Sequence, residues 1–117
     1  MLNITGDKLR GHLEMMVLSS LKQGEAHGLE IVKRLEAAGS GALKLKEGSL
    51  YPALYRLEQA GYVKAQWEGE SSGRRGARRR LYNLTTKGKR QLTQGQQEWT
   101  EFVTVMSNIL GVPVWKN

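Results

Sequence analysis

Five arginines crowd one short stretch of the chain, Arg74, Arg75, Arg78, Arg79 and Arg80, among glycines and serines. A guanidinium presents a planar fork of N–H donors that matches a phosphate, and glycine removes the bulk that would hold a polyanion away. From residue 71 to residue 97 there are eight Lys or Arg and no Asp or Glu. A merely solvated charge run is the competing reading, but a solubilising surface normally mixes both signs. Over the whole sequence 18 Lys and Arg stand against 11 Asp and Glu, a net charge of +7. That balance suits a polyanionic partner, either nucleic acid or an anionic membrane.

Other chemistry is poorly supplied. There is no cysteine, so disulfides, thiolate metal sites and a cysteine nucleophile are excluded, and His12 and His27 are the only imidazoles. Neither histidine has a second ligand near it in sequence, so both are expected to pack or to start a helix, and no metal or other cofactor is expected. No nucleophile is paired with a base, and no glycine-rich phosphate loop ends in Lys and Ser or Thr, so the chain is not expected to be an enzyme. No apolar run approaches the roughly 20 residues that span a bilayer, and the first eleven residues lack a basic start followed by an apolar stretch. A cytoplasmic protein without a membrane partner is expected.

The elements that must present the arginines follow from periodicity. Leu9, Leu13, Met16, Val17 and Leu21 recur at helical spacing, predicting a first helix from residue 7 or 8 to 23, with Met15 and Leu18 as further apolar surface outside that stripe. A helix apolar on more than one side is buried on more than one side. A second, short helix is predicted over 27–38, with Leu29, Ile31, Val32 and Leu35 inward and Glu30, Lys33, Arg34 and Glu36 outward. A third runs from about residue 48 to 60, where Leu50, Leu54 and Leu57 make a narrow buried stripe. Its opposite face carries Pro52, Tyr55, Arg56 and Gln59, with Ser49 and Tyr51 on the flanks. Pro52 lacks an amide hydrogen and belongs near a helix start, which leaves the first turn open.

Beyond Gly61 the period shortens. Tyr62, Val63, Ala65 and Trp67, then residues 80–84, read as two strands joined by the arginine-rich loop 69–79, a basic wing between Gly69 and Arg80. Thr85 or Thr86 then caps a last helix to about Leu110, ended by Gly111 with Pro113 beyond. Three helices followed by a hairpin is the order of a winged helix-turn-helix, in which the third helix enters the major groove and the hairpin lies on the flanking backbone. The fold class is therefore mainly α (α+β): a winged helix-turn-helix with a two-stranded wing over residues 1–84 and a long C-terminal dimerisation helix with its tail over 85–117. The wing arginines supply affinity, with Arg74, Arg75 and Arg78 leading and Arg79 and Arg80 standing where the strand begins.

Several spaced motifs carry a resemblance. LRGHLE at 9–14, AHGLEI at 26–31, EGSLYPALYRLEQAGYV at 47–63 and YNLTTKG at 82–88 together resemble the PadR-like transcriptional regulators, over residues 9 to about 110. The resemblance implies a homodimeric bacterial repressor that binds a two-fold double-stranded DNA operator and is often relieved by a small aromatic or otherwise hydrophobic effector. It makes Ser49, Tyr51, Pro52, Tyr55 and Arg56 the recognition surface. It also makes His27 and Gly28 the start of the second helix beside the backbone. Two roles fit Tyr51, a DNA contact and a half-buried packing residue, and Arg56 could instead pair with Glu58 or Gln59. The single long last helix resembles the short form of the family.

Along that helix Leu92, Trp99 and Met106 are seven residues apart, as are Phe102 and Ile109, with Val103 and Leu110 alongside. This heptad-like seam is expected to make a homodimer interface of Trp99, Phe102, Val103, Met106 and Ile109 with Met15 and Leu18 of the first helix. A sharper version adds an apolar slot there for a flat effector. Gly95 in mid-helix costs roughly 1 kcal/mol against alanine and is expected to admit a close neighbour. The rival to the DNA reading is a basic winged-helix RNA- or ribosome-associated protein, for which Tyr51 and Tyr55 would stack on bases.

Overall fold

The computed structural model describes residues 11–69 and 78–113. Helix α1 (Leu13–Ser20) runs into a 3-10 turn (Leu21–Gln23) and is followed by α2 (Gly28–Ala38) and α3 (Glu47–Gln59). Strands β1 (Val63–Trp67) and β2 (Arg80–Leu84) come next, and α4 (Thr86–Leu110) ends the described chain. This is the expected order, an α+β winged helix with one long last helix. The expected start of the first helix at residue 7 or 8 lies outside the described residues.

Local chemistry sets the helix limits. His27 caps α2 from an extended backbone, its Nδ1 accepting the Glu30 amide at 3.2 Å. Thr85 caps α4 in the same way, its Oγ1 accepting the Gly88 amide at 3.0 Å. At the other end Gly111 takes φ 72°, the left-handed turn that closes a helix. Helix α3 begins at Glu47, one residue earlier than the pattern suggested, and Pro52 lies inside it, beyond the first turn. The amide it lacks is the one that would bond to the Gly48 carbonyl.

The core joins Val17, Leu18 and Leu21 to Ile31, Val32 and Leu35 of α2, and to Leu50, Leu54 and Leu57 of α3. Val63, Tyr82 and Leu92 close it from the hairpin and α4. Each such side chain contributes about 1.5–3 kcal/mol by leaving water. Leu29, expected among the inward residues of α2, is 43% exposed because it lies in the first turn, at the outer edge of the Ile31, Val32 and Leu35 stripe. Leu18 is corrected in the opposite sense. At 1% exposure its side chain is used up in the chain's own core and leaves no surface for an interface.

The hairpin is antiparallel, pairing Val63 with Leu84, Ala65 with Tyr82 and Trp67 with Arg80. Ala26 bridges Tyr82 from the other side, its amide giving 3.1 Å to the Tyr82 carbonyl and its carbonyl accepting the Tyr82 amide at 2.9 Å. Strand β2 is thus held on both edges, and the wing is anchored to the turn between α1 and α2.

Candidate nucleic-acid interface

Helix α3 presents the face that its leucine stripe dictates. Leu50, Ala53, Leu54 and Leu57 are buried, while Ser49, Tyr51, Pro52, Tyr55, Arg56 and Gln59 are exposed. Tyr55 projects furthest, with 63% of its surface in solvent. Tyr51 is a packing residue that keeps an exposed surface. It is 46% exposed, yet its phenol lies against Gly28 at the start of α2, where a Cβ would stand 2.7 Å from Cζ. Arg56 does pair with a carboxylate, but with neither expected neighbour, since its Nε donates to Glu14 Oε2 of α1 at 3.2 Å. Both side chains of that pair are about half exposed, at 56% and 47%, so solvent screens it and a phosphate can replace the carboxylate.

Of the wing arginines, Arg74 and Arg75 lie outside the described residues. Arg78 is exposed, its Nε donating to the Glu68 carbonyl at 3.0 Å. Arg79 is turned toward α2: its amide donates to Glu68 Oε1 at 3.1 Å and its Nη1 lies 2.9 Å from His27 Nε2. Arg80 is turned toward α3, with Nη2 2.9 Å from Glu58 Oε2 and its guanidinium 5.5 Å from the centre of the Trp67 ring. Tyr82 lies beside that pair, and burial pushes its phenol above the ordinary range, the nearby Arg80 opposing the shift and Glu58 adding to it.

Of the carboxylates that hold these cations, Glu14 was not singled out by sequence reasoning, and Glu58 was considered only as a neighbour of Arg56 and not as the partner of Arg80; no periodic signal would have found either pair. Lys44 and Lys46 were also missed. Both are exposed just before α3, and Lys46 holds the cap position. Two lysines spaced by one residue at the start of the presented helix were the available signal.

On α4, Trp99, Phe102, Val105 and Ile109 are more than half exposed and Met106 is 38% exposed, whereas Val103 is partly buried. His12 meets the Trp99 ring edge-on at 5.5 Å, and Phe102 leans on it at 5.8 Å. Met15 is partly buried, and its side chain occupies the notch left by Gly95, so the close neighbour expected of Gly95 is α1 of the same chain. Among the described residues no group of three His, Asp or Glu side chains could hold a metal ion, and no helix is long and apolar enough to cross a membrane.

Comparison with known proteins bears directly on this geometry. The model of the transcriptional regulator PadR-like family matches residues 17–94. A transcriptional regulator from Clostridium thermocellum is 31% identical, with a TM-score of 0.78 over 90% of this chain and 96% of that one. A PadR family transcription regulator from Clostridium difficile R20291 is 35% identical, with a TM-score of 0.74 over 86% of this chain and 99% of its own. A PadR-like transcriptional regulator from Bacillus cereus is 30% identical, with a TM-score of 0.73 over 90% and 97%. The match spans the second half of α1, the helices α2 and α3, the hairpin and the first part of α4, and the chain therefore belongs to the PadR-like family of DNA-binding transcriptional regulators, which are not enzymes.

Proposed function

We propose that the chain is a cytoplasmic homodimer that represses transcription by occupying a two-fold DNA site. The observation that carries the contact surface is the sidedness of α3, which buries its leucines and turns Ser49, Pro52, Tyr55, Arg56 and Gln59 outward beside an arginine-rich hairpin. An α-helix fits a major groove about 12 Å wide, and those side chains read base edges there. Tyr51, His27 and Gly28 approach the flanking backbone, and Arg74, Arg75 and Arg78 bind its phosphates. In the dimer two α3 helices enter successive grooves about 34 Å apart.

The outward apolar row of α4 supports pairing of two chains through Trp99, Phe102, Val103, Met106 and Ile109, with Met15 at the margin. A flat hydrophobic effector stacking on Trp99 would release the operator by favouring one dimer geometry over the other. The test is to select bound sequences from a random duplex pool and titrate the winner by fluorescence anisotropy at rising salt. A two-fold consensus is expected, with affinity falling steeply as phosphate-bound counterions compete. Equal affinity for structured RNA of the same length, or affinity indifferent to salt, would sink the proposal.

A further inference from the structure

We infer that Arg80 is a positioning residue, which clamps the wing to the recognition helix through Glu58 and Trp67 and takes no phosphate itself. The inference rests on the reading of α3 and the wing given above and reassigns one residue within it. Its first support is strand sidedness. Residues paired across an antiparallel ladder share a face, so Arg80 and Trp67 lie on the face that carries the Ala65–Tyr82 and Val63–Leu84 pairs. Val63 and Tyr82 are only 2% and 6% exposed, so this is the face that covers the core. Arg80 therefore leaves the strand toward α3.

The contacts it finds there are specific. Nη2 is 2.9 Å from Glu58 Oε2, the guanidinium is 5.5 Å from the centre of the Trp67 ring, and the Tyr82 phenol lies beside them. The two charged side chains are 37% and 30% exposed, well below the pair that Arg56 makes with Glu14. To take a phosphate, Arg80 would give up both the carboxylate and the ring. It would also leave the Glu58 carboxylate unpaired beside the DNA backbone. Arg78 bears no such cost, because its described partner is a backbone carbonyl. The clamp fixes the wing's angle to α3, so that base contacts and phosphate contacts are made together. Arg80 thereby supports the choice of sequence, while Arg78 supports affinity for any duplex.

The test compares wild type, Arg80→Met, Glu58→Asp, the double variant and Arg78→Ala, each titrated against the operator and a random duplex at several salt concentrations. The clamp predicts that Arg80→Met and Glu58→Asp each weaken operator binding by a similar factor, on the order of ten-fold, and that the double variant is no weaker than either. It also predicts unchanged random-duplex affinity and an unchanged salt slope. Arg80→Lys, which keeps charge and reach, restores most of the operator affinity. Arg78→Ala should instead weaken both duplexes alike and flatten the slope by about 0.9 per protomer.

The clamp is overturned if Arg80→Met behaves as Arg78→Ala does while Glu58→Asp is neutral or tightens binding. Should Arg80→Met fail to fold, Glu58→Asp decides alone, because it keeps the charge: lost sequence discrimination supports the clamp and retained discrimination overturns it. A wild type that binds no duplex overturns the underlying reading, and the clamp with it. A wild type that binds, with variants that behave as phosphate losses, overturns the clamp only.

Discussion

At position 28 the first turn of α2 passes so close to the Tyr51 phenol that a Cβ would stand 2.7 Å from Cζ and 3.0 Å from Cε1. In a closed core an added methyl costs about 1–3 kcal/mol, because nothing can move aside. Tyr51 is 46% exposed and can swing into solvent, so Gly28→Ala should cost less than about 1 kcal/mol in thermal or urea unfolding. The loss should appear in DNA binding, because the ring that swings stands on the flank of the presented helix. Adding Gly28→Ala to Tyr51→Ala should weaken binding no further. Operator affinity equal to wild type in Gly28→Ala would show that the placement of Tyr51 does not matter. None of this was legible in the spacing of α3, which placed Tyr51 at an intermediate angle and left both roles open. The deciding neighbour comes from another helix.

The first turn of α4 grips the C-terminal end of α3, and that joint ties the long helix to the helix proposed to read DNA. Thr85 Oγ1 donates to the Gly61 carbonyl at 2.6 Å, and Lys87 Nζ donates to the Ala60 carbonyl at 2.8 Å while lying 5.1 Å from the centre of the Tyr62 ring. Gly88 packs so tightly on the Tyr62 carbonyl that no Cβ fits. A backbone carbonyl cannot swing away as a tyrosine ring can. Gly88→Ala should therefore lose about 2–3 kcal/mol in urea unfolding. Lys87→Met, which removes an exposed cation from a helix C-terminus, should lose about 1 kcal/mol or less. Equal losses would mean that the close approach carries no weight. The pattern of apolar residues located α2, α3, the hairpin and α4 to within a residue or so, because each periodicity belongs to one segment. It was blind to ties between segments: Arg56 with Glu14, Arg80 with Glu58 and Arg79 with His27 join residues 42, 22 and 52 positions apart. Gly95 falls between these cases. Its cost was legible, but that the neighbour is Met15 of the same chain was not.

For the whole molecule the question is what covers the outer face of α4. This helix has 25 residues, and its buried positions are few: Gly88, Leu92 and Ser107. Trp99, Phe102, Val105, Ile109 and Leu110 are each more than half exposed. Single exposed apolar residues need no explanation, but a contiguous row along one helix marks an interaction surface. In the proposed dimer, two copies that bury this row against each other would place their α3 helices at a fixed spacing. The second half-site would then be bound at a high effective concentration, a gain of about 10²–10⁴ over one chain alone. Ile109, at 72% exposure, tests this cleanly because the protomer's own core does not use it. Ile109→Glu should sediment as a monomer with near-native secondary structure and should lose most of its affinity for the two-fold site. Its affinity for an isolated half-site should stay close to that of wild type. A dimer that survives both Ile109→Glu and Phe102→Glu would mean that the two chains meet elsewhere, and α4 would then need another partner to account for its apolar row.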